Sequence, residues 1–139
     1  MIYIASKIRH ADKWKRLRNA GIPINSNWID LGDLEQQKNV EWGEIWKQYL
    51  TDVRNCYTLI FYTEPYVNYN GVLTEVSAAL AIGLNVIQVG FDRSDDYKIF
   101  KHPDIKHVTD LKHAFSVACS HEGSECYELC QRLPEELFI

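Results

Sequence analysis

Two carboxylates stand where their neighbours do not account for them. Glu75 lies in "NGVLTEVSAALAIGLNVIQVG", Asn70 to Gly90, which reads as a loop, a helix and a strand. Between Val72 and Ile82 only Thr74, Glu75 and Ser77 are polar. At about 100° per residue, Glu75 shares a side with Ala78, Ala79 and Ile82. A solvated helix face carries more charge than that. A carboxylate in a first helical turn is favoured by ~0.3–1 kcal/mol through the unpaired N–H groups and the dipole. It is then expected to stay ionised in partly dry surroundings, which is the state a nucleophile needs. The plainer alternative is that Glu75 complements the dipole and points to water. Asp52, in "YLTDVRNC", comes late in a helix and so runs against the dipole. Either it is an exposed acid paired with Arg54 or Lys47, or it donates a proton to a leaving group or holds a sugar hydroxyl.

The elements that must position these acids follow from patterning. The 139 residues are 46% hydrophobic and 24% charged, as expected of one globular domain over residues 1–139. "IYIA" reads as a first strand and "ADKWKRLRNAG" as a helix on a Trp14 and Leu17 ridge. "IPINSNW" reads as a second strand, with Pro23 marking an edge. "GDLEQQKN" is a polar loop, and "EWGEIWKQYLTDVRNC" a helix with Trp42, Ile45, Trp46, Tyr49 and Val53 at helical spacing. "YTLIFY", "NVIQVG" and "IKHVTD" read as strands, and "LKHAFSVAC" opens the C-terminal helical segment. The alternation predicts an α/β three-layer sandwich with a five-stranded parallel sheet in flavodoxin-like order 2-1-3-4-5. Ligands of such sheets bind beyond the carboxyl ends of the strands. Those ends are "ASK", "TEPYVNYN" and "GFDRS", and the Glu75 helix leaves the second of them.

The net charge is −4, and the basic residues gather mainly in "KIRHADKWKRLR" and "KIFKHPDIKH". That balance disfavours a nucleic acid polymer, whose phosphates dominate affinity, but leaves room for a small anion at the first cluster. No apolar run is long enough to cross a bilayer, and "MIYIASKIRH" does not read as a secretory leader, so a cytoplasmic protein with no membrane partner is expected. Its four cysteines are then reduced thiols. Cys119, His121, Cys126 and Cys130 match no common zinc spacing, and no metal or cofactor is expected. The nearly uncharged Val72–Ile82 helix suggests burial against a second copy in a symmetric homo-oligomer.

Three segments, "IYIAS", "WKQYLTDVRNCYTLIFY" and "NGVLTEVSAALAIGLNVIQVG", together resemble the nucleoside 2-deoxyribosyltransferase family, in the wider group that includes nucleotide N-glycosidases. The resemblance implies that Glu75 is the nucleophile. It implies that Asp52 orients the base or assists its departure, and that the Tyr3 hydroxyl holds the nucleophile. The substrate implied is a nucleoside or nucleotide cleaved at its N-glycosidic bond. Where the transferases carry an Asp six residues before the nucleophile, this chain has Tyr69, between Asn68 and Asn70. Transfer to a second base, hydrolysis, and a non-catalytic nucleotide-binding module on the same fold all stay open. Around the crevice, Ser6 and Lys7 are candidates for sugar or phosphate, with Arg9 and His10 as further attractors of a 5′-phosphate. Trp28 is a candidate for base stacking, and Asn68, Asn70 and Gly71 for the loop over the site.

Overall fold

The computed structural model describes residues 1–139. Four parallel strands, β1 (Ile2–Ala5), β2 (Thr58–Thr63), β3 (Asn85–Gly90) and β4 (Ile105–Val108), pair in the order β1-β2-β3-β4. β1 is buried throughout and β2 almost throughout, as their unbroken apolar and β-branched runs require of strands covered on both faces. β4 buries only its ends, Ile105 and Val108, and shows Lys106 and His107 to solvent.

Five helices cover the sheet. They are α1 (Ala11–Asn19), α2 (Trp42–Arg54), α3 (Asn70–Ala81), α4 (Leu111–Ser120) and α5 (Ser124–Arg132). On one face, Trp14 of α1 is fully buried between Tyr62 of β2 and Phe115 of α4, with ring centroids 6.0 and 6.3 Å away. α5 packs outside α4, and Asp110 caps α4 by accepting from the His113 N–H at 2.8 Å. On the other face α3 lies on the sheet with α2 beside it. The buried stripe of α3 is Val72, Glu75, Val76 and Ala79, the i, i+3, i+4, i+7 pattern of a core face. Glu75 therefore occupies a core position. Ile82, expected on its side, is 52% exposed instead.

The fifth strand does not form. Residues 22–25 do lie beside β1, at the place the expected order gives them, but they make one isolated bridge, Ile2 to Ile24. Every outward backbone group of β1 is nevertheless satisfied. The Ile2 N–H donates to Pro23 O at 2.9 Å, and the Asn25 N–H donates to Ile2 O at 2.8 Å. Then side chains take over the ladder: Ser26 Oγ accepts from the Ile4 N–H, and Trp28 Nε1 donates to Ile4 O, both at 2.7 Å. Freed from pairing, the chain coils into a 3-10 turn over Asn27–Asp30. The alternating Ile22 and Ile24 that suggested a strand are anchors for this crossing.

The thiols of Cys119 and Cys130 are buried between α4 and α5, Cys126 is half-buried, and all four cysteines are free. His121 is exposed at the end of α4. No helix is long and apolar enough to cross a membrane.

Candidate active site

Glu75 and Tyr3 meet in the core. Tyr3 projects from β1 toward α3, and its hydroxyl donates to Glu75 Oε2. The phenol is fully buried and Glu75 is 6% exposed. The remaining exposure of Glu75 opens on a cavity of about 230 Å³ at the carboxyl end of β1. Burial drives the Glu75 pKa up to about 8, opposed by the Tyr3 hydrogen bond. Burial, then the Glu75 charge, raise the Tyr3 phenol well above the usual tyrosine range. Tyr49 is raised by the same two causes.

α3 starts at Asn70, so Glu75 sits in the second turn, and the dipole effect falls off within the first. Desolvation outweighs it. Burial thus moves the Glu75 pKa up to about 8 and favours the protonated carboxyl at neutral pH over the ionised one expected.

Asp52 is buried too, at 3%, but it faces elsewhere. It pairs with neither Arg54 nor Lys47. Its Oδ2 accepts from the Asn27 N–H at 3.1 Å, and its Oδ1 from Asn27 Nδ2 at 3.1 Å and Gln48 Nε2 at 2.9 Å. It thus ties α2 to the turn that carries Trp28. Its charge reaches Tyr3 and adds to the rise of the phenol pKa. It does not line the cavity.

Of the other expected residues, Ser6, Lys7, Trp28 and Gly71 do line it. The Ser6 hydroxyl accepts from Trp14 Nε1 at 2.8 Å and donates to Lys7 O at 3.1 Å. Lys7 has no acid partner, and its Nζ lies 5.6 Å over the Tyr69 ring. Arg9 and His10 are not free for a phosphate, because Glu64 takes both at 2.7 Å. Asn68 and Asn70 are exposed and off the cavity; Asn70 opens α3, so its backbone geometry sets its place.

Sequence reasoning passed over much of the wall. Trp42, Trp46 and Tyr49 of α2 line the cavity with Tyr69, and the polar loop supplies Gly32, Asp33 and Glu35 at its mouth. The signal available was the i, i+4, i+7 aromatic series on α2, which reads equally well as a core ridge. Arg93 left no signal at all. It lies in a polar loop after β3 yet is 8% exposed, and its Nη1 donates to Glu64 O at 2.7 Å and Val67 O at 2.8 Å. It thereby fastens the β2–α3 loop from which Tyr69 enters the site. Tyr69 is held again by its hydroxyl, which accepts from the Glu64 N–H at 2.6 Å.

No family model, curated protein or solved structure matches the chain. The resemblance of its three segments therefore rests on their residues alone.

A second cavity, about 530 Å³, opens between the start of α4 and the C-terminal turn. Its carboxylates, Asp110 and Glu135, are exposed, so it lacks the shielded acid that marks the first.

Proposed function

We propose that the chain is a nucleoside 2-deoxyribosyltransferase-like enzyme that cleaves an N-glycosidic bond through a covalent glycosyl-Glu75 intermediate. The observation that carries this is a single shielded carboxyl, oriented by the Tyr3 hydroxyl, at the floor of an aromatic-walled cavity. Once ionised, Glu75 attacks the anomeric carbon as the base departs through an oxocarbenium-like transition state, by the logic of retaining glycosidases. Water resolves the intermediate in a hydrolase, and a second base does so in a transferase. Ser6 and Lys7 lie where a sugar or its 5′-phosphate would enter, and Lys7, free of any acid, favours the nucleotide variant.

The test is incubation with deoxynucleosides and their 5′-monophosphates, with and without a free acceptor base. Base release without an acceptor marks a hydrolase, and a new nucleoside marks a transferase. Ligand-induced thermal stabilisation without turnover marks the binding module instead, a reading favoured by the burial that raises the Glu75 pKa to about 8.

Tyr3→Phe removes the one hydrogen bond that favours the Glu75 carboxylate. Its pKa then rises above about 8, and activity at pH 7 falls by about ten- to a hundredfold. A pH–rate profile reads this as a shift of the acidic limb to higher pH; an unmoved limb refutes the role of Tyr3.

A homo-oligomer belongs to the same proposal. The sheet-facing side of α3 is spent within the chain, but Trp42 and Leu50 of α2 and Ile82 after α3 are 41%, 37% and 52% exposed. Light scattering is expected to give a multiple of 16.2 kDa; a monomeric mass at micromolar concentration removes the claim.

A further inference from the structure

We propose that the Glu75 cavity selects N-glycosides whose base carries a fixed positive charge, a pyridinium or an N7-alkylated purine, and releases that base as a neutral heterocycle without protonating it. This rests on the N-glycosidic reading above and narrows its substrate class.

The first ground is the count of buried carboxyls facing the cavity. Cleaving a neutral nucleoside by the two-carboxyl logic needs one group to attack and another to protonate the base. Glu75 alone is both shielded and on the wall. Asp52, the other buried carboxyl, has both oxygens engaged by Asn27 and Gln48 and lies off the wall. The Ser6 hydroxyl already donates to Lys7 O, and Trp28 Nε1 to Ile4 O. One carboxyl cannot attack and donate in the same step. A base that already carries its positive charge needs no donor.

The second ground is the wall itself. Trp28, Trp42, Trp46, Tyr49 and Tyr69 surround a space sized for a small heterocycle, and the Trp46 and Tyr49 rings stand edge to face at 5.2 Å. Aromatic faces attract cations, the more so when desolvated. Asp33 and Glu35 add negative charge at the mouth, against the single cation Lys7.

The third ground couples binding to chemistry. The titratable groups around Glu75 are Tyr3 and Tyr49, with Asp52 behind Tyr3, and Lys7, Tyr69, Asp33 and Glu35 on the cavity wall. A cationic base entering beside them favours the carboxylate over the carboxyl and so drives off the Glu75 proton. A neutral base does not. The substrate's own charge thus arms the nucleophile.

The bonds balance without a further reactant. Glu75 Oε1, which accepts no hydrogen bond from the chain, forms a bond to the anomeric carbon as the carbon–nitrogen bond breaks. The bonding pair passes to the ring nitrogen and cancels its charge. Water then adds to the anomeric carbon, frees the Glu75 carboxylate and yields one proton to solvent.

Two measurements on the full chain decide this. In the first, tryptophan fluorescence is titrated with 1-methylnicotinamide and with its neutral counterpart nicotinamide. The cation is expected to bind at least about tenfold more tightly, a preference reduced in Trp46→Ala; equal binding overturns the proposal. In the second, base release from nicotinamide riboside and 7-methylguanosine is compared at pH 7 with release from inosine and guanosine, each rate divided by its uncatalysed rate. An enhancement at least about a hundredfold greater for either cationic glycoside supports the proposal, and the pair distinguishes a pyridinium site from a purine site. Equal or greater enhancement for the neutral nucleosides overturns it and leaves the glycosidase reading standing. No release from any of the four overturns the proposal, while the glycosidase reading itself falls only if the deoxynucleosides and 5′-monophosphates tested above also release no base.

Discussion

Glu75→Gln is expected to lower base release by roughly 10³-fold or more while making the protein more stable at alkaline pH. The two effects share one cause. The Glu75 pKa is about 8 in the folded chain, against an ordinary value of 4.5. Below about pH 4.5 both folded and unfolded chains hold the proton, and the residue is neutral to stability. Between about 4.5 and 8 the folded chain keeps a proton that the unfolded chain has lost, so stability falls as pH rises. Above 8 the full penalty of a buried charge remains, on the order of a few kcal/mol. Glutamine never ionises, and its side-chain oxygen still accepts from Tyr3. The gain at pH 9 is therefore expected to appear as roughly 5–10 °C in Tm, vanishing below pH 4.5. Calorimetry of both proteins across pH, beside a base-release assay, checks both halves. A variant that is inactive but no more stable at pH 9 means that Glu75 is not the shielded acid described.

Gly90→Ala is expected to destabilise the fold by about 2–4 kcal/mol, although Gly90 does not line the cavity. Gly90 ends β3 at φ +100, which L side chains rarely adopt. A Cβ there would lie 2.4 Å from Thr63 O, a backbone atom of β2. That oxygen cannot yield cheaply, because it accepts from the Phe91 N–H at 3.0 Å while Thr63 Oγ1 donates to Phe91 O at 2.6 Å. Strand β2 leads at this point into the loop that carries Tyr69, so the site is expected to loosen with the sheet. Urea denaturation measures the loss; a change under about 0.5 kcal/mol would show that the corner relaxes freely.

Four strands and the helices were legible because β-branched runs and the 3.6-residue period report burial directly. "YTLIFY" and "NVIQVG" needed no tertiary information. "IPINSNW" misled for a physical reason. A strand is defined by backbone pairing, and here Ser26 Oγ and Trp28 Nε1 supply the bonds that a fifth strand would have made. Side-chain substitution for a ladder leaves the same apolar alternation in the sequence. Glu75 stood out because a charge inside an apolar period has few explanations. Its protonation state did not, since it depends on a helix start two residues earlier than the apolar run suggests and on burial beneath Tyr3. Asp52 was read as a chemical acid or a surface acid. It is a buried joint, and nothing near it in sequence foretells Asn27. Arg93 and the Gly32–Glu35 loop look like any solvated segment until the chain closes.

The same substitution along β1 closes one border of the sheet to any added strand. An open parallel sheet normally invites a foreign strand at each border. Here one border has no donor or acceptor left to offer, since Pro23, Asn25, Ser26 and Trp28 occupy them all, and the other shows Lys106 and His107. Strand addition is thereby disfavoured at both borders, which leaves the helical faces as the surfaces through which a second copy would have to pack.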